Sequence, residues 1–428
     1  MSSAPAPSNW FGQPRGLTIL FLTNMWETFS YYGMRALLVY YMTKHLLISQ
    51  QHSSLIYGTY TSFAYFTPIV GGAIADRYLG KKWAVIIGAT TMGHFMMAFE
   101  PLFYFALATI AVGNGLFLPS LPSQINDLYG PDDPRRGWAY NVYYVGVNVG
   151  GFLAPLVCGT LGELYGWHWG FAAAGLGMGI GLVIYCSFLR LLPPEPNRTL
   201  LAAEAQPDAA PVIREHVAIL LLMVAMVVLF RIGYEQSGNV IALWVSDRTD
   251  RSLDLFGSTL TIPATWFQSI NPLLIILGTP LLIAFWRRRK RHETIPHLLK
   301  RMSFGCVVAT AAMVVMVAAA LSSGPEGARV SSLWVFGYFV LLTLGELLVI
   351  PVGLTLVETL APIRFASMAM GAWYIAKFLG SLLAGFMGAF WLVIPPWTFF
   401  SLGVISTLVA AVCLFAMARV LNARSARS

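Results

Sequence analysis

The sequence predicts an all-α integral membrane protein of twelve transmembrane helices in two six-helix bundles, and three observations carry that expectation. With 57% hydrophobic and 11% charged residues over 428 positions, and a mean hydropathy of +0.67, the chain is too apolar for a water-soluble globule. Its apolar runs are about 20 to 27 residues long, enough for a helix to cross a hydrocarbon core of roughly 30 Å, whereas barrel strands would alternate over ~10-residue segments. Finally, the composition breaks once, at the Pro-, Ala- and charge-rich "LLPPEPNRTLLAAEAQPDAAPVIRE" of residues 191–215, which divides the chain into halves.

In chain order, residues 1–16 have neither the basic run nor the small-residue cleavage site of a signal peptide and are expected to remain as a cytoplasmic tail. Spans begin near residues 17, 53, 83, 101, 136 and 168, forming a first bundle over 17–192. A cytoplasmic linker covers 193–214 and is too short for an extra helix pair between the halves. Further spans beginning near 215, 258, 301, 331, 365 and 397 form a second bundle over 215–420, and 421–428 is a second cytoplasmic tail. With the N-terminus inside, twenty of the 27 Lys and Arg lie on the inner side, against Lys44, Arg248, Arg251 and Arg329 outside. That asymmetry accounts for the +8 charge without a nucleic-acid partner. Cys158, Cys186, Cys306 and Cys413 are dispersed over apolar helices without metal-ligand spacing, so neither metal nor other cofactor is expected.

Three cations, Arg35, Arg231 and Lys377, remain inside spans, with the acids Glu27, Glu235, Glu346 and Glu358 in or near hydrocarbon. An ionisable group facing lipid costs about 2.5–3.5 kcal/mol on insertion scales, so these groups face a cavity or one another. Buried structural pairs and helix-end placement remain alternatives, the latter above all for Glu358. Asn24, Glu27, Thr28, Tyr31 and Arg35 form one stripe at 3.6 residues per turn. Arg231 and Glu235 are four apart and can pair along a helix. Glu346 precedes Pro351, where a kink is expected. Around Asn148, Gly146, Gly150 and Gly151 permit close helix approach, while the amide itself needs a cross-helix or ligand partner. His94 is the one histidine within a span. HExxH, GxSxG and paired intramembrane aspartates are missing, which argues against an enzyme.

The stretches "ETFSYYGMRALL", "GGAIADRYLGKK", "GNGLFLPSLPSQINDLY", "DPRRGWAYNVYYVGVNVGGFLAPL", "FRIGYEQSG", "GELLVIPVGLTLVETLAP" and "MGAWYIAKFLG", in this order, resemble the proton-dependent oligopeptide transporter family of the major facilitator superfamily. The resemblance covers nearly the whole chain. It implies import of di- and tripeptides by proton symport through alternating access, in a bacterial inner membrane, with no obligate protein partner. It further implies that Tyr31, Tyr32, Arg35, Tyr65 and Asn148 line one half of a substrate site and Glu235, Asn271, Glu346 and Trp373 the other. Glu346 would bind the peptide ammonium and Arg35 its carboxylate. The inner loop, with Asp76 and Arg77, would act as a cytoplasmic gate, although positive-inside topology alone explains its lysines.

The sequence departs from the family where protons are usually handled. A first-span Glu-x-x-Glu-Arg motif is here Asn24, Met25, Trp26, Glu27 and Thr28, and the fourth-span lysine is Leu118. Arg231 and Lys377 stand as candidate replacements, Arg231 against Glu235 and Lys377 against Glu346 or Glu358. Glu235 is expected to be the principal protonatable group and Glu27 a secondary one. Weakened coupling, another small zwitterionic or anionic solute, or a transport-dead substrate sensor are the alternatives these departures leave.

Overall fold

The computed structural model describes residues 8–9, 12–90, 93–129, 133, 135–194, 214–255, 258–287, 294–324, 326–360 and 366–425. The inter-half linker therefore lies almost wholly outside the described residues, as does most of the N-terminal tail. Helices dominate: α1 (Arg15–Tyr40), α2 (Gln50–Ile74), α3 (Lys81–Thr90), α4 (Phe103–Asp127), α5 (Arg135–Thr160), α6 (Trp167–Ser187), α7 (Arg214–Tyr234), α8 (Val240–Arg248), α9 (Ile270–Arg287), α10 (Ile295–Ser323), α11 (Ser332–Leu360), α12 (Ala366–Gly388) and α13 (Pro396–Ser425). Among the described residues nine segments are long and apolar enough to cross a membrane, with α7 and α8 forming one of them, His216–Arg248. At 26 and 25 residues α1 and α2 have the length. They are less apolar because α1 carries Asn24, Glu27, Thr28, Ser30 and Arg35 and α2 opens on "QQHSS". The described part of α3 is ten residues.

Two boundaries differ from the sequence expectation. Residues expected to open the eighth span form instead an antiparallel hairpin, Ser252–Leu255 with Ser258–Thr261, and helical structure resumes at Ala264. Alternating "SLDL" and "STLT" suits a two-stranded ribbon, whose described side chains are exposed, whereas the apolar run begins only beyond it. The seventh span is also interrupted. After Tyr234 the chain tightens into a 3-10 turn, Glu235–Gly238, and Asn239 departs from helical geometry at φ −110° and ψ −97° before α8 starts. Ser237, Gly238 and Asn239 are weak helix formers, and a 3-10 stretch inside a helix commonly marks a hinge.

The described chain forms two compact units. One comprises Met1–Leu37 and Phe63–Gln206, the other Leu38–Ser62 and Pro207–Ser428. In the first, Leu17, Leu20, Val85, Phe117, Leu121, Ile125 and Tyr185 form a buried cluster. Polar groups at its margin are paired: Tyr185 donates to Gln124 at 2.8 Å, Tyr129 to Gln13 at 2.7 Å, and Lys81 meets Asp127 at 2.7 Å. The glycines of α5 act as the packing argument requires, since a methyl at Gly150 would collide with the Met25 carbonyl and one at Gly146 would sit 2.9 Å from Phe21.

In the second unit, Leu38–Ser62 joins the ends of α1 and α2 to helices of the later sequence. Tyr40 donates to the Ala242 carbonyl at 2.9 Å, Ser54 to Asn239 at 2.9 Å and Gln50 to the Gly388 carbonyl at 2.9 Å. Lys44 bonds Ser246 and lies 3.4 Å from Asp247. Backbone meets backbone here, because any Cβ on Gly385 would come within 2.6 Å of the Gly58 Cα. Only glycine at both positions allows so close an approach.

Candidate substrate and proton sites

In the first unit the stripe on α1 forms as the 3.6-residue period requires. Asn24, Glu27, Thr28 and Arg35 are all buried, Glu27 at 3% exposure and Arg35 at 7%. Glu27 receives one hydrogen bond, from its neighbour Thr28 at 3.2 Å, and no cation lies within ion-pair distance among the described residues. Tyr31 and Tyr32 are half-buried and pack edge to face at 5.4 Å, and the Arg35 guanidinium lies 5.9 Å from the centre of the Tyr32 ring. Tyr65 on α2 is half-buried. Asn148 on α5 is buried, and its amide donates at 2.9 Å to the Tyr144 carbonyl one turn back. Of the two partners expected for Asn148, a ligand or another helix, no cross-helix bond forms among the described residues, and the amide bonds within its own helix.

The second unit holds a denser arrangement. Arg231 and Glu235 form the i,i+4 ion pair that their spacing foreshadowed, both buried, with Arg231 also over the Tyr234 ring at 5.5 Å. Gly380 on α12 makes the space, as a methyl there would sit 2.5 Å from the Arg231 Cβ. Glu235 is the first residue of the 3-10 turn, and the next residue, Gln236, ties that turn to α12 by donating to the Ala384 carbonyl at 2.9 Å. An ion pair and a helix break therefore coincide.

Glu346, midway along α11, is buried at 8% exposure and is held by neutral donors. Asn271 reaches one carboxyl oxygen at 2.7 Å and Tyr234 the other at 3.0 Å, while Asn271 also bonds Thr343 at 2.9 Å. Lys377 on α12 shares the electrostatic environment of Arg231, Glu235 and Glu346. Glu358 is exposed near the end of α11, outside this group. Trp373 is buried at 2% exposure, its ring packed where a side chain on Gly353 would otherwise stand. The helix of Glu346 runs on through Pro351 to Leu360.

Tyr234 and Thr343 are the members of this group that sequence reasoning missed. Tyr234 lies beside Glu235 and one helical turn from Phe230, whose ring stacks on it at 5.9 Å, so it resembled ordinary aromatic packing. Asp76 and Arg77, expected in a loop, lie instead in the π-helical turn Ala75–Leu79 that continues α2; both are exposed, and Arg77 stacks over Tyr78 at 5.6 Å.

The chemistry available is that of a binding protein. Buried charges of both signs on helix faces, held by hydroxyl and amide donors, can orient a zwitterion and exchange protons. Comparison with known proteins accords with this. Residues 20–325 match the family described as Major Facilitator Superfamily. A peptide transporter of Yersinia enterocolitica is 32% identical, covering 90% of each chain, and a di-/tripeptide transporter of Lactococcus lactis is 32% identical over 86% of this chain and 87% of its own. Among solved structures, a peptide transporter POT in complex with sulfate is 28% identical, with a TM-score of 0.85 over 97% of this chain and 96% of that one. A POT family transporter in complex with 5-aminolevulinic acid is 25% identical, with a TM-score of 0.86 over 97% and 98%. The chain belongs to the major facilitator superfamily and, within it, to the proton-dependent oligopeptide transporter family.

Proposed function

We propose that the chain is a secondary active transporter that imports di- and tripeptides together with protons. It would work by alternating access, in a bacterial inner membrane with both termini cytoplasmic. The observation that carries this is the construction around Glu346, a buried carboxylate whose oxygens are oriented by Asn271 and Tyr234. An acid placed there is matched to a substrate ammonium. Family membership and the printed names of the relatives point to peptides as the zwitterion.

Proton coupling is assigned to Glu235, with Glu27 second. An acid couples transport to protons only if its proton affinity changes between states of the cycle, and an adjacent cation that moves is one way to change it. Glu235 has that cation in Arg231 and sits on a helix break that would let the pair separate. Purified protein in liposomes tests the whole proposal. Dipeptide uptake is measured with an inwardly directed proton gradient, a membrane potential, both or neither. Accumulation driven by the gradient is the expected result. Uptake indifferent to every gradient would reduce the function to facilitation, and no uptake of any peptide would overturn the proposal.

A further inference from the structure

The face shared by α10 and α13 has features that peptide transport does not use. The two helices are locked antiparallel, Ser303 donating to the Ala411 carbonyl at 2.7 Å and Thr310 to Thr407 at 2.9 Å, so the start of α10 lies beside the end of α13. Along that seam runs an apolar groove of about 420 Å³, walled by Phe304, Val307, Leu408, Val412 and Phe415. Phe304 is 61% exposed and Val412 60%, as befits side chains turned towards hydrocarbon. One end of the groove is charged. Lys300 lines it, and Arg419, a turn beyond Phe415, holds its guanidinium 5.1 Å from the centre of that ring. Among the described residues neither cation is paired with an acid.

A groove that is apolar along its length and cationic at one end is complementary to an acyl chain carrying an anionic head. We propose that it binds one anionic phospholipid, the chain lying along Phe304, Val307, Leu408 and Val412 and the phosphate meeting Lys300 and Arg419. A second copy of the protein fits less well, because a two-fold contact on this face within one membrane would bring like charges together.

Native mass spectrometry of the full chain in detergent, with equimolar phosphatidylglycerol and phosphatidylcholine of the same acyl chains, tests the proposal. Wild type should retain one phosphatidylglycerol, preferred about fivefold for each cation engaged. Lys300→Gln with Arg419→Gln should abolish the preference, Lys300→Arg should keep it, and Val412→Trp should expel the lipid whatever its head. Peptide counterflow by each variant in proteoliposomes reports that it is folded. Equal retention of the two lipids by wild type, a preference that survives the double substitution, a dimer in place of the lipid, or displacement of the lipid by millimolar inorganic phosphate would each overturn it.

Discussion

Glu27 and Glu235 are acids on membrane-spanning helices, buried at 3% and 1% exposure, yet their surroundings are opposite in kind. Glu27 sits on an unbroken helix with a single hydroxyl donor and, among the described residues, no cation within ion-pair distance. Glu235 opens a 3-10 turn and is joined to Arg231 in a buried ion pair. In the first, the carboxyl group is buried with no counter-charge beside it among the described residues. In the second the carboxylate is balanced by the guanidinium one helical turn away. The same residue type in the same medium can thus be a lone acid or half of an ion pair, according to what stands one helical turn away. Within this family the usual first-span motif places the acids and an arginine together. Here the paired arrangement lies on the seventh span and the solitary acid on the first.

The largest effect should come from separating the pair. Glu235→Gln is expected to abolish proton-driven accumulation while leaving peptide counterflow, as read by uptake in proteoliposomes; accumulation at wild-type level would exchange the roles of the two acids. Because removing one partner of a buried pair is destabilising by about 3–5 kcal/mol, Arg231→Met alone should lower thermal stability strongly. Arg231→Met with Glu235→Gln should recover much of that loss, and strict additivity in this double-mutant cycle would show that the two groups do not act together.

Next in size is Glu346→Gln, whose amide oxygen can still accept from Asn271 while its NH2 donates to the Tyr234 hydroxyl, so that the charge is removed and both partners are kept. It should raise KM for dipeptides about tenfold or more, corresponding to about 1.4 kcal/mol, while an N-acetylated peptide is unaffected. An equal change for both substrates would separate Glu346 from the ammonium. Glu27→Gln should do less, shifting the pH dependence of uptake with counterflow and stability preserved; complete loss of accumulation would make the lone acid the principal one. Smallest is Ser54→Ala, which removes one bond to Asn239 beside the helix break. A loss of about 0.5–1.5 kcal/mol in thermal denaturation is expected, and none at all would mean that this bond does not hold the turn.

Legibility in the sequence followed the range of the interaction. The Arg231–Glu235 pair was readable because helix periodicity places residues four apart side by side, and the stripe from Asn24 to Arg35 was readable for the same reason. The setting of Glu346 was not. Its donors come from α7 and from the start of α9, 112 and 75 residues away, and no local pattern marks an ordinary tyrosine as a carboxylate partner. The second strand of the hairpin, Ser258–Thr261, falls within the expected eighth span because short alternating and continuous apolar stretches are hard to tell apart at a span's edge. Asn148 shows how a helix can supply a partner locally. Its burial was foreseen, but its own helix offered a carbonyl and satisfied it locally.

By itself the sequence determined that the chain is an α-helical membrane protein, which helices carry charge, and which family motifs are kept or altered, since hydropathy, helical period and motif order are properties of neighbouring residues. Tertiary structure alone decided that Glu346 is held by Tyr234 and Asn271, that Gly58 meets Gly385 backbone to backbone, and that the seventh span breaks where its ion pair begins. Each of these depends on which distant side chains arrive together once the helices pack, and in hydrocarbon it is those arrivals that settle whether a buried charge is balanced or alone.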